Sequence, residues 1–257
     1  ETQQAGLVAS PTRREQVKAW LSEIPLPTAP FALASAFQGE LSHAQYVHRF
    51  NAVQRYIRAG DCYQINLAQR FFADYAGDEW QAYLHLRQAT PTPFSGFMAW
   101  EDKAVLSLSP ERFIRCRDSE VETRPIKGTR PRGATPEEDH ALAEQLMSSR
   151  KDRAENVMIV DLLRNDLGRV CQHGSIRVPQ LCHLESYPNV HHLVSVVQGT
   201  LASDYTPLAL LKAAFPGGSI TGAPKIRAMQ IIDELEPCQR SVYCGSLGYV
   251  DVRGSMD

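Results

Sequence analysis

The segment 124–133 combines a lysine with the means to hold it in place. It carries four cationic side chains within nine positions, and one of them is Lys127. Pro125 and Pro131 favour extended backbone on both sides of the lysine, and Gly128 permits the close approach of another group. Neighbouring positive charge and partial burial both favour a neutral amine, so Lys127 is a candidate nucleophile or base. A solvated basic loop that binds an anion explains the same pattern, and local spacing alone favours it.

A glycine-rich loop at residues 215–225 leads into a predicted helix with Pro224 in its first turn. Free backbone N–H groups at a helix N-terminus, together with the helix dipole, bind anions. Gly217 and Gly222 have the spacing of the two glycines of a P-loop. However, Ala223 and Pro224 stand where that motif needs Lys and Ser or Thr, so a phosphate with Mg²⁺ does not fit. A carboxylate suits the same donors, and a tight turn packed on a sheet is an equally favoured alternative.

The segment 151–161 predicts a helix that carries one carboxylate on an otherwise apolar face. Helical spacing places four side chains on that face: Glu155, Met158, Ile159 and Leu162. A carboxylate in such a position needs a cation, either an arginine or a metal ion. Mg²⁺ held by one or two carboxylates is one hypothesis. A structural ion pair with a nearby arginine is the other, and the residues alone favour it narrowly.

Two adjacent histidines, His191 and His192, precede a predicted strand at 193–197. Adjacent residues of a strand point to opposite faces, so the two imidazoles cannot bind one metal ion. His183 is nearby in sequence but fits no zinc spacing. At most one histidine of the pair therefore reaches a site.

The elements that must position these residues alternate without a regular β-α-β pattern. Ser42 and Gln45 form a capping box for a helix that Gly60 ends, and Thr135 caps another helix with proline at its first position. Further helices are predicted at 12–21, 153–163 and 223–235, and strands at 63–67, 97–100, 104–108, 175–178, 193–197 and 246–250. This order of elements favours the α+β class.

Composition excludes several classes of protein. The 257 residues carry 27 basic and 29 acidic side chains, a net charge of −2, so a basic field for nucleic acid is absent. The apolar stretches are far shorter than the ~20 residues that span a bilayer. The six cysteines form no C-x-x-C pair. We therefore expect reduced thiols in a cytoplasmic protein that binds neither nucleic acid nor membrane.

Taken together, the chain resembles the chorismate-utilising enzymes. The resemblance covers residues 40–257 and its segments fall in the order of the family. The matching stretches are 60–70, 109–113, 125–129, 151–166, 192–195, 216–225 and 245–249.

The resemblance implies a fold, a reaction and a cofactor. The fold is an α/β/β/α sandwich of two large, mostly antiparallel sheets, of which this partial chain supplies most of one half. Residues 1–38 are expected to be a linker or the tail of an upstream N-terminal element. Residues 39–257 are expected to be the chorismate-binding catalytic domain, truncated at its C-terminus. The implied reaction joins chorismate and ammonia to give 4-amino-4-deoxychorismate, the precursor of p-aminobenzoate in folate synthesis, with Mg²⁺ as cofactor.

The resemblance also implies roles for individual residues. Lys127 would form a covalent adduct at C2 of chorismate, Glu111 would act as general acid on the departing 4-hydroxyl, and His192 would line the site as the third catalytic residue. Glu155 would be a ligand of Mg²⁺. The implied substrate-binding residues are Gly217, Gly218, Ser219, Thr221, Gly222, Tyr243, Thr129 and Gln64.

Two positions separate this reaction from related ones. Anthranilate synthases typically carry Ala where Lys127 stands, and the water-using isochorismate synthases carry a lysine where Gln64 stands. None of the six cysteines lies in a Gly-x-Cys-x-Gly setting, so ammonia is expected from a partner glutamine amidotransferase subunit. The alternatives are anthranilate synthase component I and a non-catalytic chorismate-binding fragment. The family continues past Asp257 into a segment with a substrate-binding arginine and a second metal-binding glutamate.

Overall fold

The structure, a computed structural model, describes residues 10–23 and 29–257. The helices are α1 (Pro11–Glu23), α2 (His43–Ala59), α3 (Glu79–Ala89), α4 (Pro136–Ser148), α5 (Arg150–Gly168), α6 (Pro207–Ala214), α7 (Gly218–Thr221) and α8 (Lys225–Leu235). The strands are β1 (Ala32–Leu33), β2 (Gln38–Gly39), β3 (Gln64–Ile65), β4 (Phe71–Phe72), β5 (Tyr75–Ala76), β6 (Phe94–Trp100), β7 (Lys103–Ser109), β8 (Arg112–Arg117), β9 (Glu120–Arg124), β10 (Ile126–Pro131), β11 (Arg177–Ser186), β12 (Val190–Thr200) and β13 (Gly222–Ala223). None of the helices in these two ranges is long and apolar enough to span a bilayer.

A five-stranded antiparallel sheet is built around β12. One side of β12 pairs with β10 near its start and with β9 near its end, and β11 runs along the other side. The strand β8 extends the sheet beyond β9. Nearly every residue of β12 is buried, as expected for a central strand covered on both faces. This sheet carries Lys127 on β10 and His192 on β12.

Helix α5 covers one face of this sheet and supplies much of the core. Ser149 caps its N-terminus by accepting a hydrogen bond from the backbone N–H of Asp152. Ile159 and Leu167 are almost completely buried. Burial of each such side chain is worth about 1.5–3 kcal/mol relative to exposure, which holds α5 and its Glu155 at a fixed height above the sheet.

The capping signals in the sequence are confirmed. Ser42 and Gln45 form a complete capping box at the start of α2, and Gly60 ends that helix with a φ of 84°. Thr135 caps α4 with Pro136 at its first position, as predicted. The β6–β7 hairpin is also present, and the mixture of helices with antiparallel strands confirms the α+β class.

Two predicted strands differ from the structure. The strand predicted at 63–67 is reduced to the two residues of β3, because its partner β13 is itself only two residues long: α7 precedes it, and Pro224, which has no N–H to donate, follows it. The segment 246–250 is irregular rather than a strand. Within the described residues it pairs only at its end, where Val250 makes an isolated bridge to Met256 and Tyr249 exchanges backbone hydrogen bonds of 2.9 and 3.2 Å with Asp257.

The other differences concern where elements begin. Pro224 lies before α8 in an extended conformation with ψ of 140°, not in its first turn as predicted. Part of the predicted linker at residues 1–38 lies outside the described residues. Of the remainder, α1 agrees with the helix predicted at 12–21, while β1 and β2 pair with β5 and β4 of the following domain. The domain boundary at residue 38 stays a prediction.

Candidate active site

A cavity of about 510 Å³ lies beside the central sheet. One wall contains Glu111 and the first residues of the glycine-rich loop, Gly217, Gly218 and Ser219. Much of the opposite wall comes from 244–250, the irregular segment near the C-terminus. Four of the predicted site residues are thus brought together on one surface from segments about one hundred positions apart in sequence.

Lys127 lies on β10 and reaches the glycine-rich loop. Its Nζ donates a hydrogen bond of 3.0 Å to the backbone carbonyl of Ser219. Burial lowers the pKa of Lys127 below its ordinary value, and the charges of Glu111 and Glu155 oppose this shift. The amine is therefore held in a defined direction, and its burial makes it easier to deprotonate than a lysine in water.

Glu111 lies in the short connection between β7 and β8. Burial raises the pKa of its carboxyl above the ordinary value, and the nearby Ser219 and Lys127 oppose that shift. The shifts of Glu111 and Lys127 are thus opposite in direction, and burial is the largest cause of both. A protonated carboxyl is the form that can donate a proton to a leaving group.

The glycine-rich loop is held in a tight, partly helical conformation. Thr221 Oγ1 donates a hydrogen bond of 2.9 Å to the carbonyl of Gly217 and closes the loop on itself. Gly222 has a φ of 146°, and a Cβ atom there would lie 2.1 Å from the carbonyl oxygen of Gln64. Only glycine fits this contact between the loop and β3.

Two buried polar atoms at this junction have no hydrogen-bond partner within the described part of the chain. They are Ser219 Oγ and Gln64 Oε1. Buried polar atoms are nearly always hydrogen-bonded, and exceptions often mark the place of a missing ligand or water. The two residues were predicted to bind substrate, and a ligand with polar groups would satisfy them.

His192 lies on β12 directly opposite Thr129 of β10. The two side chains share a hydrogen bond of 2.9 Å between Thr129 Oγ1 and His192 Nδ1. The ring of Tyr187 packs edge-on against the imidazole, with 5.6 Å between ring centroids. Burial lowers the pKa of His192, so the neutral imidazole is favoured. His191 points to the other face as predicted and bonds Asp139 at 2.9 Å instead.

Glu155 lies on α5 and is partly exposed. Its carboxylate is 3.7 Å from Lys151, a weak surface contact, and its negative charge raises the pKa of Lys127. The predicted structural pairing with an arginine is therefore not what the structure shows. Within residues 10–23 and 29–257, no three His, Cys, Asp or Glu side chains are grouped as a metal site. One carboxylate fits Mg²⁺ only as a partial ligand set, since this ion commonly takes its other ligands from water and substrate oxygens.

The structure does not bring every predicted residue to the cavity. Tyr243 is mostly exposed and does not line it. The other predicted residues that lie outside its lining are Lys127, His192, Glu155, Gln64, Thr129, Thr221 and Gly222. In contrast, two polar residues outside the predicted set support the site, the buried Asn156 and the partly buried Arg240. Asn156 binds the carbonyl of Leu193 at 3.0 Å, and Arg240 binds the carbonyl of Ile220 at 2.6 Å. A buried asparagine in mid-helix is unusual, and its position next to Glu155 was the available clue.

Comparison with known proteins agrees with this geometry. Aminodeoxychorismate synthase component 1 from Escherichia coli (strain K12) is 56% identical over 241 residues, 93% of this chain and 53% of the relative. Aminodeoxychorismate synthase from Streptomyces griseus is 47% identical over 234 residues, which cover 91% of this chain and 32% of that protein. The chain thus spans about half the length of the first of these relatives.

Solved structures show the same fold. The crystal structure of anthranilate synthase component I from Streptococcus pneumoniae TIGR4 superposes with a TM-score of 0.86 and 34% identity, covering 97% of this chain and 56% of that one. The expected fold is thereby confirmed for the part of the family that this chain represents. The sequence profile described as chorismate binding enzyme matches residues 2–257. The chain therefore belongs to the family of chorismate binding enzymes.

Proposed function

We propose that the protein containing this chain aminates chorismate at C4 and produces 4-amino-4-deoxychorismate, the precursor of p-aminobenzoate. The observation that carries the proposal is the half-buried Lys127, whose amine donates to the carbonyl of Ser219 and lies near Glu111 and Glu155. An anthranilate-forming enzyme has no use for such an amine. The similarity to two aminodeoxychorismate synthases supports the same conclusion.

The reaction proceeds in two allylic displacements. The neutral amine of Lys127 attacks C2 of chorismate, both double bonds of the ring diene shift (C1=C2 to C1=C6, and C5=C6 to C4=C5), and the bond between C4 and its hydroxyl oxygen breaks. Glu111 supplies the proton with which that hydroxyl leaves as water, and its carboxylate then takes the proton from the alkylated lysine nitrogen. Ammonia then attacks C4, both double bonds shift back, and the bond between C2 and Lys127 breaks; the lysine nitrogen leaves with a proton from the new C4 ammonium group, which becomes an amine. While C2 is occupied by the lysine, amination at that carbon is blocked.

The remaining residues bind and orient the substrate. The backbone of the loop from Gly217 to Gly222 offers donors to a carboxylate. Ser219 Oγ, which lies beside Glu111, can donate to or accept from other polar groups of the substrate, and the unpartnered Gln64 Oε1 can accept from them. His192, whose orientation is fixed by its hydrogen bond with Thr129 and whose pKa is lowered by burial, lines the substrate site and can hydrogen-bond the substrate. We assign Tyr243 to the edge of the substrate site, in keeping with its exposure.

Mg²⁺ belongs to the same proposal. Glu155 would contribute one ligand to it, and the ion would supply Lewis-acid polarisation of a substrate carboxylate. The chain's own contribution is to hold the carboxylate of Glu155 on α5, close enough to Lys127 for its charge to raise the pKa of that amine.

The supply of ammonia is assigned to a separate glutamine amidotransferase subunit. The six cysteines are all free, and none has the sequence setting of a glutaminase nucleophile. Free thiols also agree with the cytoplasmic location expected from the sequence.

The test is intact-mass measurement of the protein, in the form its organism makes, incubated with chorismate and Mg²⁺ without ammonia. We expect a mass increase equal to chorismate minus water, and its loss in Lys127→Ala. Lys212→Ala, which removes an exposed lysine of α6, is the matched control and should keep the adduct. Addition of ammonia should then release 4-amino-4-deoxychorismate. Formation of fluorescent anthranilate, or an adduct that survives in Lys127→Ala, would overturn the assignment.

A further inference from the structure

An ion pair between Arg240 and Glu236 adjoins the glycine-rich loop at Ile220. Arg240 and Glu236 make two hydrogen bonds, of 2.6 and 2.9 Å. The side chain of Arg240 is 15% exposed and that of Glu236 is 6% exposed. A bidentate pair between a planar guanidinium and a carboxylate has a well-defined geometry. It therefore fixes the orientation of the other N–H donors of Arg240.

The remaining donors of Arg240 bind backbone carbonyls. Its Nη1 donates to the carbonyl of Ile220 at 2.6 Å, and its Nη2 donates to that of Asn66 at 2.6 Å. Asn66 completes the connection, because its Nδ2 donates to the same Ile220 carbonyl at 3.1 Å and its backbone N–H donates to Thr221. The guanidinium therefore joins the glycine-rich loop to the chain that follows β3.

The carbonyl held by Arg240 directly follows the one that orients the nucleophile. Lys127 donates to the carbonyl of Ser219, and the next carbonyl along the chain is that of Ile220. Peptide units are planar and successive units meet at one Cα atom, so fixing one restricts the orientation of its neighbour. A rotation at Ile220 would move the acceptor of the Lys127 amine.

We propose that Arg240 is a positioning residue for the amination: it clamps the loop at Ile220 against Asn66 and thereby fixes the carbonyl that directs the amine of Lys127. The inference deepens the proposed function and rests on it. Arg240 touches neither the reacting atoms nor the cavity wall. Its effect passes through the backbone of the loop.

Two variants and one control test this role. Arg240→Gln removes the guanidinium. The double variant Arg240→Met with Glu236→Met removes both charges together, which avoids leaving one buried ion without its partner and keeps the test open if the single variant does not fold. The control is Arg227→Gln, because Arg227 lies on α8 and pairs with Asp61 without contacting the loop carbonyls.

The first measurement is the rate of adduct formation at saturating chorismate, followed by intact mass. A displacement of about 1 Å in a reacting group can cost 10²-fold in rate, so we expect a loss of about 100-fold in the folded Arg240 variants and less than 3-fold in Arg227→Gln. Arg240→Lys keeps the positive charge but not the planar, bidentate guanidinium, so it should recover part of the rate of adduct formation. An unchanged rate in a folded Arg240 variant, or an equal loss in the control, would overturn the proposal.

The second measurement is hydrogen exchange of the Asn66 amide, which needs no substrate. This amide donates to the carbonyl of Thr221. We expect it to exchange at least tenfold faster in the Arg240 variants than in the wild type or in Arg227→Gln, and unchanged exchange would refute the clamp. If the wild type formed no adduct while this exchange changed as expected, the proposed function would fail and the clamp would stand.

Discussion

Replacement of Asp166 by asparagine tests how the two ends of the glycine-rich loop are fixed. Lys225, at the start of α8, donates to Asp166 Oδ2 at 2.6 Å and to the carbonyl of Ala214 at 2.7 Å. Ala214 is the last residue of α6, so this one ammonium group joins the helices on both sides of the loop to α5. The two side chains are only 12% and 6% exposed, and burial raises the pKa of Asp166.

The expected magnitude follows from that burial. At 2.6 Å and an effective dielectric constant of 20 the gross attraction is about 6 kcal/mol, but desolvation of both ions cancels much of it. Asp166→Asn leaves the Lys225 charge desolvated and without a counter-ion, which costs about 3–5 kcal/mol. At roughly 2–4 °C per kcal/mol for a chain of this size, the melting temperature should fall by about 6–20 °C.

The assay is urea unfolding of Asp166→Asn, Lys225→Met and the double variant. The double variant removes both charges, so its loss should be smaller than the sum of the two single losses by more than about 1 kcal/mol. Asp61→Asn is the control, since the Asp61–Arg227 pair is 31% and 38% exposed and should cost less than about 1 kcal/mol. A loss below about 1 kcal/mol in Asp166→Asn, or strict additivity in the double variant, would refute the reasoning.

Three further predictions concern residues around the site. Gly128→Ala should destabilise the chain by more than about 1 kcal/mol in urea unfolding, because Gly128 has a φ of 93° and a Cβ would lie 2.8 Å from that of Asp152; an unaffected midpoint would contradict it. Asn156→Ala should lower the free energy of unfolding by roughly 1–3 kcal/mol for each hydrogen-bond partner it leaves unsatisfied. Asn156→Asp should not restore the hydrogen bond that Nδ2 donates to Leu193. Hydrogen bonds from Arg132 and from a backbone N–H hold the pKa of Asp139 well below its usual range. The ionised carboxylate therefore adds to the free energy of unfolding at neutral pH, and this stabilisation is lost as the pH falls below about 4. Asp139→Asn should therefore be less stable at pH 7 but lose less on acidification, as measured by melting temperature against pH.

Local signals predicted the elements that local chemistry determines. The capping box at Ser42, the threonine cap before Pro136 and the glycine that ends α2 are formed by residues within four positions of one another, so the sequence contains all of their partners. The segment 246–250 has the composition of a strand, but a strand needs a neighbour, and in the part of the chain that the structure describes only Tyr249 and Val250 are paired, with Asp257 and Met256. Such pairing depends on distant parts of the chain.

The site was predictable only where its residues lie within a sequence motif. The family motifs indicated Lys127, Glu111 and the glycine-rich loop, and the structure places them together. They did not indicate Arg240, whose importance comes from contacts with residues 20 and 174 positions away. No periodicity or spacing rule relates such positions. The short β3 likewise follows from its pairing with β13, which is bounded by α7 and by Pro224, and this becomes relevant only once the two segments pair.

The hydrogen bond between Lys127 and Ser219 joins residues 92 positions apart. In an unfolded or nascent chain this lysine is an ordinary, protonated surface amine, since nothing yet shields it from water. The lowered pKa of Lys127 is therefore a property of the folded chain alone, because it depends on the loop and the sheet together shielding the amine from water.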